Sequence, residues 1–89
     1  MNTPTTSGRV EDLLRQAGRE RRRVRATYRF HGESGVTEHE RHWEPYAIHD
    51  GHAIVFSYLR NEFRTIPLKH IVDIEIHDRE FVPRRPIEL

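Results

Sequence analysis

The sequence predicts a small, mainly β domain: a five-stranded β-barrel preceded by one short N-terminal α-helix. Three observations support this prediction. The apolar positions change from a helical period to a period of two near Val24. Short apolar segments then follow one another, separated by turn-forming residues. At 89 residues the chain can bury one hydrophobic core but not two.

The predicted helix covers residues 8–19. Its apolar positions recur at i, i+3, i+4 and i+7, which places four side chains on one face: Val10, Leu13, Leu14 and Ala17. Acidic residues fall in the first turn and arginines near the end, as the helix dipole favours. Gly18 is predicted to break the helix, and residues 1–7 are predicted to form a disordered tail.

The first two strands are predicted at residues 24–30 and 36–46. In the first, alternate residues from Val24 to Phe30 are apolar, and arginines occupy the other face. Pro45 is predicted at a kinked end of the second strand or on a sheet edge. Asp50-Gly51 is the strongest hairpin signal in the chain, because this dipeptide suits a type I′ turn.

The remaining strands are predicted at residues 52–59, 63–68 and 72–78. The first of these is almost continuously apolar and is therefore expected to be buried in the sheet. A single helical turn at residues 68–71 separates the last two strands, as in SH3-like and Sm-like barrels. One domain is expected over residues 8–82, with the barrel over 23–82 and a C-terminal tail over 83–89.

The composition excludes several classes of protein. The chain has no cysteine, so it has neither disulfides nor a thiolate site. It contains no apolar segment long enough to span a membrane and no signal peptide, and a cytoplasmic location is expected. Although it has 15 basic residues, all arginine except Lys69, its formal net charge is only +1. Nucleic-acid binding would therefore depend on local clustering of charge.

The sequence predicts a non-enzymatic protein with no cofactor and no metal. It shows no catalytic triad order and no Gly-rich phosphate loop. The histidine pairs, His39 with His42 and His49 with His52, lack a carboxylate or thiolate partner at a suitable spacing. Exposed polar residues explain them better than a zinc site.

Arginines are concentrated at the helix-to-strand junction and in the first strand. Arg25 and Arg29 share one strand face, and a guanidinium group can bind phosphate through two parallel hydrogen bonds. They are candidate phosphate contacts. Cross-strand pairing with glutamates of the neighbouring strand, such as Glu38 and Glu40, is an equally good interpretation.

A second group of polar residues lies around the third and fourth strands. Tyr58 and Arg60 follow the third strand, and Arg64 begins the fourth. Together with Arg41 and His70 they could form a small anion pocket. A half-buried tyrosine beside exposed arginines is the alternative.

Residues 20–82 resemble the WYL domain, a bacterial regulatory module with an Sm/SH3-like barrel. The resemblance rests on the order of several segments: "EPY" at 44–46, "DG" at 50–51, "FRTIPL" at 63–68 and "HIVDIEI" at 70–76. The name-giving Trp-Tyr-Leu stands here as Ala53-Ile54-Val55, and arginines usual in the family are replaced by Pro67 and His70. No helix-turn-helix is visible, so a stand-alone module is expected.

The resemblance implies a ligand-sensing role in transcriptional, DNA-damage, phage-defence or CRISPR regulation. The candidate ligand-binding residues are Arg64, Tyr58 and His70, with Arg41 as a weaker candidate and Arg60 as a further phosphate contact. A phosphate-bearing ligand, such as single-stranded nucleic acid or a nucleotide, is the leading expectation. The alternative is a protein-interaction module that forms a homodimer or binds a regulator protein and has no ligand.

Overall fold

The computed structural model describes residues 6–89, so most of the predicted N-terminal tail lies outside the described residues. The chain forms one helix and five strands: α1 (Thr6–Arg19), β1 (Arg22–Gly32), β2 (Gly35–His49), β3 (His52–Ser57), β4 (Glu62–Pro67) and β5 (Ile71–Glu80). A single 3₁₀ turn, Leu68–His70, joins β4 to β5. The predicted helical turn at this place is confirmed.

The five strands form one antiparallel sheet in the order β4-β3-β2-β1-β5. The predicted mainly β class, with five strands and one N-terminal helix, is confirmed. Within residues 6–89 no ladder joins β4 to β5, so these two strands are the edges of an open sheet and the barrel is not closed by hydrogen bonds.

The helix covers one face of the sheet and completes the main core. Val10, Leu14 and Ala17 are buried and pack against the alternate inward residues of the strands, including Val24 and Val55. Each large apolar side chain of this kind contributes about 1.5–3 kcal/mol when it is fully buried. The apolar face of α1 and the inward-facing residues of β1, both predicted from the sequence, therefore hold α1 on the sheet.

The helix does not break at Gly18 but continues to Arg19. The chain turns at Arg21, whose φ of 56° lies in the left-handed region. Gly18 remains inside the helix, where a Cβ would meet the side chain of Leu89. This glycine therefore provides space for the C-terminus of the chain.

The β2–β3 connection is the predicted tight turn. Asp50 and Gly51 have φ of 48° and 73°, and positive φ at both central residues is the type I′ requirement. The sequence predicted Pro45 at a kinked end of β2 or on a sheet edge, and this prediction is wrong. Pro45 lies inside β2 at an irregularity in the β2–β3 register, beyond Trp43, the last β2 residue that pairs with β1.

A second apolar cluster lies on the opposite face of the sheet. Tyr46, Phe56 and Phe81 form its buried part, and Tyr58, Phe63 and Ile87 pack around them. Because β3 contributes to both clusters, its sequence is apolar on both faces. This accounts for the nearly continuous apolar run that predicted a buried strand.

The segment after β5 packs back onto the domain, although the sequence predicts only a tail for residues 83–89. The Glu88 amide donates to the Tyr46 carbonyl (2.8 Å), and Glu88 forms a parallel bridge with Ala47. Arg84 lies over the Phe56 ring at 3.7 Å and Arg85 over the Phe63 ring at 3.9 Å. Cation–π contacts of this kind help to hold the C-terminal segment against the sheet.

Candidate anion-binding cleft

An open cleft of about 330 Å³ lies on the helix-bearing face of the sheet, and we call it the arginine cleft. It contains three of the arginines that the sequence singled out. Its lining comprises Tyr28, Phe30, His39, Arg41, Trp43, Ser57, Arg60, Arg64 and Ile66.

The strand registers place these side chains together. In β1 and β2, Ala26 pairs with Arg41 and Tyr28 with His39, so these residues share the face that carries the core. Arg64 of β4 pairs with Val55 of β3 on the same face. The buried stripe of each strand thus changes to polar and aromatic residues toward one end, where the cleft lies.

The three arginines of the cleft have few partners within the protein. The Arg64 Nη1 lies 3.3 Å from the Glu62 carboxylate, an exposed pair that contributes little to stability. The Arg41 guanidinium donates to the neighbouring Glu40 carbonyl (2.9 Å). Within residues 6–89 the Arg60 side chain has no hydrogen-bond or ion-pair partner. Most of their donor capacity is therefore available to an anion.

Aromatic side chains flank this positive charge. Trp43 is buried beneath the cleft, and Tyr28 is partly buried in its wall. Phe30 is 49% exposed, which is unusual for a large apolar side chain on the core-bearing face of a strand. An exposed ring beside guanidinium groups is a surface on which a nucleobase can stack.

Tyr58 does not lie in the arginine cleft. It belongs to the opposite face, where its hydroxyl donates to Glu44 Oε2 (2.5 Å) and the Arg23 guanidinium lies 4.7 Å from its ring centre. The phenol is thus already engaged by the protein.

His70 also lies apart from the three arginines. It ends the 3₁₀ turn, with its ring centre 6.1 Å from that of Tyr28 and 6.3 Å from that of His31. Its Nδ1 is buried and has no partner within the described part of the chain. Tyr28 is the residue that links His70 to the cleft wall.

Arg25 and Arg29 lie on the face opposite the arginine cleft and are paired with glutamates. Arg25 contacts Glu75 at 2.6 Å and Glu40 at 3.8 Å, and Arg29 contacts Glu38 at 2.6 Å. The cross-strand arrangement that the sequence offered as an alternative describes both residues.

A buried carboxylate connects the second apolar cluster to the C-terminal segment. Glu44 is only 2% exposed and accepts hydrogen bonds from the Tyr46 hydroxyl (2.7 Å), the Tyr58 hydroxyl (2.5 Å) and Arg84 Nε (3.1 Å). Burial and the Glu44 hydrogen bond raise the pKa of Tyr46 to about 12, and the same causes raise the pKa of Tyr58. Sequence reasoning missed this network, because Arg84 is 40 residues from Glu44 in the chain.

No group of three or more side chains suited to metal binding occurs among residues 6–89. His49 and His52 face each other across the Asp50-Gly51 turn, and the His52 ring nitrogen Nδ1 lies 2.8 Å from the Asp50 carbonyl oxygen. In the same part of the chain, no helix is long and apolar enough to cross a membrane.

Comparisons with known proteins agree with the fold. Residues 9–76 match the sequence model of the WYL domain. Among solved structures, the fold is similar to that of proteasome accessory factor B/C (PafBC) of Arthrobacter aurescens, with a TM-score of 0.72 and 20% sequence identity. The similarity covers 90% of this chain and 13% of that chain, so this chain spans a small part of its length. Comparison with curated proteins gave no significant match.

Proposed function

Because the chain belongs to the WYL domain family, as its sequence resemblance indicated, we propose that it is a non-enzymatic regulatory module that binds a phosphate-bearing ligand. Single-stranded nucleic acid is the ligand that the arginine cleft fits best. The observation that carries this proposal is the convergence of Arg41, Arg60 and Arg64 on one open cleft beside the exposed ring of Phe30.

The proposed binding mode combines charge and stacking. The guanidinium groups of Arg60 and Arg64 donate charge-assisted hydrogen bonds to successive phosphates, and Arg41 contributes from the neighbouring strand. Phe30 provides a face for one base, and such stacking tolerates any base sequence. Binding would therefore depend weakly on sequence and strongly on salt.

The proposed role is bacterial transcriptional, DNA-damage or phage-defence regulation in the cytoplasm, with CRISPR regulation as one form. The family supports this assignment, whereas the similarity to PafBC supports only the shared fold. In this role the domain would report the presence of its ligand to the protein that contains it or to a partner regulator.

The direct test is the binding of a fluorescently labelled single-stranded oligonucleotide, followed by anisotropy. We expect Arg64→Ala to weaken binding by about 1–3 kcal/mol, because a charge-assisted contact is lost. Phe30→Ala should weaken it by a similar amount if one base stacks there, about 1–3 kcal/mol.

Arg9→Ala is the matched control, because Arg9 is exposed on α1 and does not line the cleft. It removes the same charge and should change the affinity little. Equal losses for Arg9→Ala and Arg64→Ala would contradict the proposal, because they would show that only the overall charge matters.

The open sheet favours a second candidate function, a protein-interaction or dimerisation module without a ligand. The outer edges of β4 and β5 are unpaired in the described residues, and an exposed edge can add a strand from a partner. Two exposed apolar side chains, Leu59 (65% exposed) and Val82 (87% exposed), offer apolar surface to such a partner. Sedimentation of the purified chain distinguishes the two: a stable dimer with no oligonucleotide affinity would favour this candidate.

A further inference from the structure

A second basic pocket lies on the sheet face opposite the arginine cleft. We call it the His-Arg pocket; it has a volume of about 390 Å³ and is lined by Arg23, His42, Tyr58, His77 and Arg79. Its residues come from β1, β2, β5 and the turn after β3. It shares no residue with the arginine cleft.

A β-bulge builds this pocket. In the β1–β5 ladder Arg22 pairs with Glu80 but Val24 pairs with Ile76, so three residues of β5, 77–79, oppose the single residue Arg23. Bulges redirect side chains and are common beside binding sites. Here the bulge brings His77 and Arg79, two residues apart on β5, to the same pocket as Arg23.

The two arginines of the pocket are not neutralised by the described part of the protein. Within residues 6–89 neither Arg23 nor Arg79 has an ion-pair partner, and the Arg23 Nε is buried without an acceptor. A buried guanidinium N–H requires an acceptor, which must then come from water or a ligand. The Arg23 side chain is held in place by its stacking on the Tyr58 ring, at 4.7 Å.

The carboxylates beside the pocket-lining residues form no ion pair with Arg23 or Arg79 within residues 6–89. Glu44 accepts from two tyrosine hydroxyls and from Arg84, and Asp78 lies 3.8 Å from Arg22. Glu40 lies 3.6 Å from His42 Nε2 but also contacts Arg25. None of them closes the pocket with a bidentate pair.

We propose that the His-Arg pocket is a second anion site and that it binds a phosphate monoester. Two guanidinium groups and two imidazole rings, which pack edge to face at 5.6 Å, surround it with N–H donors. A monoester carries about −1.5 to −2 charge and three acceptor oxygens, which matches this set better than a singly charged phosphodiester does. The site is independent of the arginine cleft.

The test is a two-dimensional ¹H–¹⁵N NMR titration of the chain with inorganic phosphate, at an ionic strength held constant with chloride. We expect saturable shifts of the amide signals of Arg23, His42, His77 and Arg79. Arg79→Gln should weaken phosphate binding at least about tenfold, the loss of one charge-assisted contact. Because Arg79 is exposed, this variant is expected to fold normally.

A control variant keeps the result specific. Arg9→Gln removes an exposed arginine that lines neither site, and it should leave phosphate binding at the His-Arg pocket unchanged. In the same spectra the amide signals of Arg41, Arg60 and Arg64 report the arginine cleft, so binding at each site is followed separately. Shifts that do not saturate, or that persist fully in Arg79→Gln, would overturn the proposal.

A comparison of oligonucleotides identifies the source of the monoester. A 5′-phosphorylated single strand that perturbs the His-Arg pocket, when its 5′-hydroxyl counterpart does not, would show that the site binds a nucleic-acid end. Perturbation by inorganic phosphate alone would show that it binds a small phosphate. Equal perturbation by both oligonucleotides would contradict selectivity for a monoester.

Discussion

At the scale of single residues, Glu44 is the only buried charged side chain of the described structure. Its carboxylate is buried and is shared by two tyrosine hydroxyls and a guanidinium group. A buried charge is stable only when it is paired and fully hydrogen-bonded, which is the case here. Loss of Glu44 would leave two phenols without their acceptor and Arg84 without its partner.

We therefore expect Glu44→Ala to lower the free energy of unfolding by about 3 kcal/mol. Urea denaturation of the parent chain and of the variant measures this change in the free energy of unfolding. Glu38→Ala is the control, because Glu38 is half-exposed and its one ion pair within residues 6–89 is with Arg29; this variant should cost less than about 1 kcal/mol. Similar losses for the two variants would show that the Glu44 network does not stabilise the fold.

The two phenols of this network predict a loss of stability at alkaline pH. The folded state raises the pKa of Tyr46 from 10.0 to about 12 and raises that of Tyr58, chiefly through burial. The folded state thus favours the neutral phenol, so its stabilising effect is complete below pH 10 and is lost as the pH rises toward 12. Urea denaturation at several pH values across this window should show falling stability, and the decline should be smaller in Tyr46→Phe.

At the scale of elements, the C-terminal segment is a structural part of the domain. It places Phe81 and Ile87 in the second apolar cluster and Arg84 on Glu44, and it ends with Leu89 against Gly18. The packing of this segment against the domain was not predictable, because its residues carry neither helical nor strand periodicity. What fixes it is a set of contacts with residues distant in sequence, which no local pattern encodes.

Deletion of residues 83–89 should lower the free energy of unfolding by about 3 kcal/mol or more, because it uncovers aromatic side chains and leaves Glu44 without its guanidinium partner. Thermal and urea denaturation would measure the loss. Val82→Ala, at the 87% exposed position just before the deletion, should stay within about 0.5 kcal/mol of the parent chain. Unchanged stability of the deleted chain would contradict the structural role given to this segment.

Local patterns did predict the elements themselves. The i, i+4 stripe of α1, the alternation in β1 and the Asp50-Gly51 turn each depend on neighbouring residues, and all three are confirmed. The predicted position of Pro45 was wrong, because β2 can hold a proline in its interior only where its neighbour β1 no longer pairs with it. Where that pairing stops depends on tertiary structure and not on the local sequence.

At the scale of the whole molecule, the sheet separates two sets of basic residues. Arg41, Arg60 and Arg64 converge on the helix-bearing face, whereas Tyr58 lies with Arg23 on the other. The sequence placed Tyr58 and Arg64 together because they are close along the chain. Side chains alternate across a sheet, so proximity in sequence does not determine which face each one occupies.

The central claim is that the arginine cleft binds the phosphates of a single strand, and salt dependence tests it most directly. Three arginines that contact about three phosphates predict that log affinity falls with log salt concentration at a slope of about −2. Anisotropy titrations of the labelled oligonucleotide at several salt concentrations measure this slope. The claim predicts a slope near −2 that becomes shallower by about 0.7 in Arg64→Ala, the value for one phosphate contact. Absence of binding, or a slope that Arg64→Ala leaves unchanged, would contradict it.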